Sequence, residues 1–225
     1  MRVVPAADPS AHWTPGCSHG ATLSRARQYI AQGLLPAGYS LLLVPAACGS
    51  TSILHWDKTV GYNVDLWGDL AARLEMALSL PNATQTWFVW RQVENDLNAA
   101  AHCQNKLHAL MPDAATWLAH TEPFLQNFRN QFGNVPISLS QPTDVFLRPA
   151  PAKPEFRNAM LQLASGLGNC AVTDTAGLAS NYAVTGNPED EIHFNAKAQE
   201  RIAQWNVADY ANLVCGARLS PAPPV

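Results

Sequence analysis

The apolar run from about Tyr39 to Ala47, centred on Leu41-Leu42-Leu43-Val44 and closed by Pro45, constrains the fold of this chain most. A strand with one wet face alternates apolar and polar residues. A run apolar almost throughout suits a strand buried on both faces, the situation inside a parallel sheet covered by helices. Parallel neighbours must be joined by crossovers, usually helical, so helices should separate the strands. They do. A helix is expected from about Thr22 to Gln32, ended by Gly33 and followed by Pro36. Leu66, Leu70, Leu74 and Leu78 recur every four residues as one stripe of an amphipathic helix. Thr84 to Gln92 is an aromatic-rich strand.

Two helices are expected next, from about Asp96 to Leu110 and from Ala114 to Gln131, the second capped by Asp113. A short strand near Val135 to Leu139 leads into a Pro-rich connection from Gln141 to Pro154. A helix near Glu155 to Ala164, a strand near Cys170 to Asp174 and a last helix from Asn195 to about Leu213 complete the alternation. The fold class is therefore α/β, a flavodoxin-like three-layer α/β/α arrangement with a parallel sheet, whose sites lie at the carboxyl ends of strands. Residues 1–225 read as one domain with a frayed tail over 216–225.

Composition narrows the function. A net charge of -3 without clustered Lys or Arg argues against nucleic acid. No apolar run approaches a bilayer span, and Met1 to Pro5 has no signal-peptide apolar region. The five cysteines, Cys17, Cys48, Cys103, Cys170 and Cys215, are odd in number and show no C-x-x-C spacing, which disfavours a disulfide framework or a structural zinc site. Cys17, His19 and His12 form the one cluster with ligand chemistry, but a fourth ligand is missing and the segment reads as a polar loop. No cofactor or metal is expected.

Chemistry concentrates in Asp190-Glu191-Ile192-His193. An Asp three residues before a His can orient an imidazole that acts as a general base. Gly49 follows the first apolar strand, Gln92 to Asp96 follow the second, and Asp190 and His193 precede the last helix. Three polar clusters thus fall where a doubly wound sheet places its site.

The run Val44-Pro45-Ala46-Ala47-Cys48-Gly49-Ser50-Thr51-Ser52-Ile53 with Trp56 resembles block II of the SGNH (GDSL-like) hydrolases. More narrowly, it looks like the sialate O-acetylesterase-like carbohydrate esterases, with their V-P-A-A-x-G-G-T stretch before a Trp. Trp90-Arg91-Gln92-Val93-Glu94-Asn95-Asp96 is similar to that group's W-x-Q-G-E-x-D block, and Asp190 to Asn195 to its D-x-I-H block. The resemblance covers about Val3 to Leu213. It implies a serine-type hydrolase that removes O-acetyl groups from a carbohydrate or sialic acid, so the expected partner is an acetylated carbohydrate.

The resemblance also implies roles. Gly49 would give its backbone N–H to the oxyanion, with Gln92 or Asn95 adding a side-chain donor. His193 would act as base and then acid, held by a hydrogen bond to Asp190. Glu94 and Asp96 would support the loop, Asp96 being equally suited to cap the next helix.

Three departures accompany the resemblance. Val93 stands where the family has glycine, and Ser50 replaces the second glycine of G-G-T. No G-Q-S-N-like block I, which carries the family's nucleophilic serine at the end of its central strand, is found here. The expectation is a chain lacking that strand and serine, with Val3 to Pro9 as the segment after block I. It would leave an open slot between the strands carrying Val44 and Val89 unless N-terminal residues fill it. Gly16-Cys17-Ser18-His19-Gly20 fits the G-x-S-x-G elbow of another hydrolase fold, but Pro9 to Pro15 is no strand, so Ser18 reads as part of a loop before a helix. The alternative reading is a catalytically silent glycan-binding or structural module with the same fold.

Overall fold

Helix and strand alternate as the apolar pattern requires. The computed structural model describes residues 2–3, 18–57, 65–148 and 150–215. The elements are β1 (Arg2–Val3), α1 (Ser18–Ala31), β2 (Leu42–Leu43), α2 (Leu66–Leu78), β3 (Phe88–Trp90), α3 (Glu94–Ala101), α4 (Ala114–Phe132), β4 (Ile137–Ser140), α5 (Lys153–Leu167), β5 (Cys170–Thr173), α6 (Tyr182–Thr185) and α7 (Ala196–Cys215). Short 3₁₀ turns lie at Ile53–His55 and Pro188–Ile192. Among the described residues no helix is long and apolar enough to cross a membrane.

Strands β3, β4 and β5 form a parallel sheet in that order, with Val89 opposite Ser138 and Ser138 opposite Ala171. β4 (Ile-Ser-Leu-Ser) is buried at all four positions, yet it alternates apolar and polar. The alternation assigns its two faces. Ile137 and Leu139 join the main core, with residues of α2, α3, α4 and α5. Ser138 and Ser140 point the other way, where Ser138 Oγ accepts from Trp87 Nε1 at 2.9 Å and Ser140 Oγ from Asn206 Nδ2 of α7 at 3.3 Å. Buried hydroxyls are tolerated because each is bonded. The main core is aromatic: Phe88 stacks on Phe128 at 3.9 Å, and Trp56 meets Trp90 edge-on at 5.0 Å. On the other face α1 packs on α7, where Tyr29, Val207 and Tyr210 gather around Trp87 and Leu41.

The caps explain most boundaries. Asp113 Oδ1 accepts from Thr116 N at 2.7 Å and starts α4 where expected. Asn195 Oδ1 accepts from Ala198 N at 2.8 Å and starts α7. α1 ends as the sequence requires, with Gly33 in the left-handed region at φ 70. α1 begins four residues earlier than the pattern suggested, so Ser18 is its first residue and not part of a preceding loop. Cys17 and His12 lie outside the described residues.

Two expectations need correction. The strand read over Tyr39 to Ala47 is paired only at Leu42–Leu43, which are half-buried. Its one ladder is a parallel pairing with Arg2–Val3, so Val3, read as the start of a post-strand segment, is a strand residue, while 4–9 lie outside the described residues. Among the described residues no ladder joins this pair to β3. The helix expected over Asp96 to Leu110 is the shorter α3, and 102–110 fold as turns. Its N-cap position is Val93, whose side chain makes no cap bond, and Asp96 lies inside the first turn.

Candidate active site

The turn after β2 is built by its own side chains. Thr51 Oγ1 donates to Cys48 O at 2.9 Å, and Ser52 accepts from Leu54 N at 3.2 Å, starting the turn Ile53–His55. His55 Nδ1 returns to accept from Ser52 N at 3.0 Å, a reciprocal capping box. The first turn of α3 clamps this loop. Asn95 Nδ2 donates to Ser50 O at 3.1 Å and Gln92 Nε2 to Thr51 O at 3.0 Å. The Asp96 carboxylate accepts from Ser52 Oγ, from Gln92 Nε2 and from Ile53 N, the last at 3.2 Å. The blocks around Gly49 and around Gln92, about 40 residues apart in sequence, are thus one hydrogen-bonded unit.

Asp96 is fully buried. Burial outweighs its hydrogen bonds from Ser52, Gln92 and Ile53 and pushes its acid up to about 6. It supports the loop, one of the two roles expected of it; the cap role is excluded by its position.

The donors divide unequally. Both N–H groups of the Gln92 amide are spoken for, by Thr51 O and by Asp96, and its Oε1 is buried without a partner. Gln92 is therefore a brace here, not a free donor. Half-buried Asn95 has given one N–H to Ser50 and keeps the second. Gly49 is exposed, and a Cβ built on it would meet open space, so its backbone borders room for a ligand.

Of the two substituted glycine positions, one accepts its side chain and one is strained by it. Val93 has φ -172, extended backbone open to any residue, and its side chain is buried in the main core. Ser50 sits at φ 59, the left-handed region that favours glycine.

The Asp190 to His193 segment is held from three sides. Asn181 N donates to His193 O at 2.8 Å, Ser180 bridges Phe194, and Asn195 N donates to Ala179 O at 3.1 Å. Thr143 Oγ1, in the loop after β4, donates to Glu191 O at 2.6 Å. That loop is fixed by the buried Lys153, whose Nζ donates to the carbonyls of Thr143, Asp144 and Phe146. The segment meets the first unit where the Arg91 guanidinium lies 4.8 Å from the centre of the Phe194 ring. His193 thus adjoins a residue that touches the neighbour of Gln92.

The expected Asp190–His193 hydrogen bond is not formed. The Asp190 carboxylate accepts from Thr185 Oγ1 at 2.6 Å, because the 3₁₀ turn at Pro188–Ile192 directs it back towards α6. Among the described residues the histidine closest to a carboxylate is His120, whose Nδ1 lies 2.8 Å from Asp57 Oδ2. Local spacing carries no signal for that pair, since 63 positions separate its members. Ser18 opens α1, and its side-chain surroundings are outside the described residues.

A three-stranded parallel sheet between helices, with the loops after β3, β4 and β5 at one end, defines an α/β protein. Residues 2–212 match the carbohydrate esterase family of sialic acid-specific acetylesterases, and the chain belongs to that family. The fold is that of the solved structure of NanS, with a TM-score of 0.55 at 20% identity over 88% of this chain and 72% of that one. Among curated proteins nothing matches.

Proposed function

We propose that this face hydrolyses an acetyl ester on a carbohydrate, a sialic acid in particular. His193 takes the proton of an attacking serine hydroxyl as its oxygen bonds to the acetyl carbon. The oxyanion is met by Gly49 N–H and the free N–H of Asn95, His193 protonates the departing sugar oxygen, and water then releases acetate. Asp190 orients His193 after leaving Thr185. The observation that carries this reading is the hydrogen-bonded union of the Gly49–Ile53 turn with Gln92, Asn95 and Asp96, joined through Arg91 and Phe194 to the His193 segment.

A second reading, a silent glycan-binding module, is favoured by two observations: the serine block of the family has no counterpart in these 225 residues, and Asp190 is engaged by Thr185. Hydrolysis of p-nitrophenyl acetate separates them. Under the esterase reading the chain retains a rate of roughly 10³ over water, the level of a triad enzyme without its serine. His193→Ala and Asn95→Ala then lower it. Hydrolysis indifferent to both substitutions leaves the binding module. A fast reaction lost in Ser18→Ala would move the nucleophile to α1 and overturn the assignment.

A further inference from the structure

The Asp190 to His193 segment folds against α6, and that single turn of helix touches both partners of the proposed dyad. At its base Asn181 N donates to His193 O at 2.8 Å. At its far end the Thr185 hydroxyl donates to Asp190 Oδ2 at 2.6 Å. The same hydroxyl oxygen accepts from Asn187 N at 3.2 Å, and Asp190 N donates to Asn187 O at 2.9 Å. Gly186 permits this tight return, at φ 69 in the left-handed region. Residues 185–190 thus close on themselves, with the Asp190 carboxylate bonded to a hydroxyl and not to the imidazole three residues on.

The carboxylate has the means to change partners. Among the described residues its Oδ1 and the ring of half-buried His193 make no hydrogen bond. A hydroxyl has one proton to give, and a second acceptor stands within reach of the one on Thr185: Asn181 O, 3.3 Å away. Turning the proton to that carbonyl frees Asp190 without leaving a donor unmet, since a Thr on a helix readily bonds the carbonyl four residues back. No residue of α6 is buried and Val184 is 75% exposed, so little packing resists a shift of this turn.

We infer that Thr185 is a positioning residue that works as a latch: its hydroxyl holds the Asp190 carboxylate off His193 and, by turning to Asn181 O, hands it over. In the latched state nothing fixes which ring nitrogen of His193 carries the proton. In the released state Asp190 accepts from Nδ1–H, which leaves Nε2 as the base. The inference rests on the reading above for the roles of Asp190 and His193, and its test does not need hydrolysis.

The experiment reads the imidazole nitrogen resonances of the full chain labelled in histidine. In the neutral ring these tell the Nδ1–H tautomer from the Nε2–H one, and their loss in His193→Gln assigns them. Thr185→Val keeps the shape, removes the hydroxyl and, the side chain being exposed, leaves the core untouched. It should raise the ratio of Nδ1–H to Nε2–H tautomer in His193 by about three- to tenfold, the range that one exposed hydrogen bond supports. Asp190→Ala added to Thr185→Val should cancel the rise, and Thr185→Ser, which keeps the hydroxyl, should match the unsubstituted chain. Hydrolysis of p-nitrophenyl acetate should rise by a similar factor in Thr185→Val. An unchanged ratio in Thr185→Val, a rise that survives Asp190→Ala, or Thr185→Ser behaving like Thr185→Val overturns the latch. A tautomer shift with hydrolysis unchanged supports the latch and sinks the esterase reading alone, whereas His193-dependent hydrolysis without a tautomer shift sinks the latch alone.

Discussion

Asp96 shows how one side chain couples the loop to solvent pH. Its acid is raised from 3.8 to about 6, chiefly by burial and further by the nearby charge of Glu94. A raised folded pKa means that the native state binds the proton more readily than the unfolded chain. The contribution of this group to stability is thus fully present below pH 3.8 and lost as pH rises through about 6. A shift of this size corresponds to an effect on the order of 3 kcal/mol. Urea midpoints should accordingly contain a component that falls between pH 4 and 6.5, opposite to an ordinary ion-paired carboxylate. Asp96→Asn keeps the shape and should flatten that component. An identical pH profile in the variant would mean that Asp96 does not titrate there. Gln92 shows the same dependence on surroundings: the residue type suits an oxyanion donor, but Asp96 and Thr51 have taken its N–H groups.

At the scale of elements, α4 and α5 are tied by Arg129, which donates to Leu167 O at 2.7 Å, Gly168 O at 2.8 Å and Asn169 O at 2.7 Å. Carbonyls at the end of a helix have no partner within it, and a cation there also suits the helix dipole. One planar side chain thus closes α5 and fixes the turn into β5. Arg129→Ala should lower unfolding free energy by roughly 1–3 kcal/mol, read from urea unfolding, since three part-buried carbonyls lose a charged donor. Arg129→Lys should recover only part of the loss, because an ammonium cannot span three carbonyls as a planar fork does. A loss below about 0.5 kcal/mol in Arg129→Ala would show that water replaces the side chain freely. The helix caps were legible from Asp113 and Asn195. The Arg129 clamp was not, because its partners lie 38 to 40 positions away.

Across the molecule, order should be graded. β4 is paired on both sides and buried throughout, β3 is paired on one side among the described residues, and β2 has two half-buried residues paired only with β1. Protection from hydrogen exchange follows burial and pairing. Amides of β4 should exchange slowest, those of β3 and β5 faster, and those of β2 faster still, as read by residue-resolved exchange. Protection of Leu42 and Leu43 equal to that of Ser138 and Leu139 would contradict this gradient.

The sequence by itself determined the α/β alternation, most helix positions, the caps and the order of the three blocks, because periodicity and capping act over a few residues. Ser50, Thr51 and Ser52 are hydrogen-bonded to Asn95, Gln92 and Asp96, and Phe194, the residue after the D-x-x-H segment, touches Arg91. Tertiary structure alone decided which partner each polar group took. Asp190 turned to Thr185 instead of His193, Asp96 became a buried clamp instead of a cap, and Arg25 was anchored on Asn206, 181 positions away. Hydrogen bonds and like-charge encounters depend on which crossovers bring distant segments together and on how much water is left there, and neither quantity is written in local spacing.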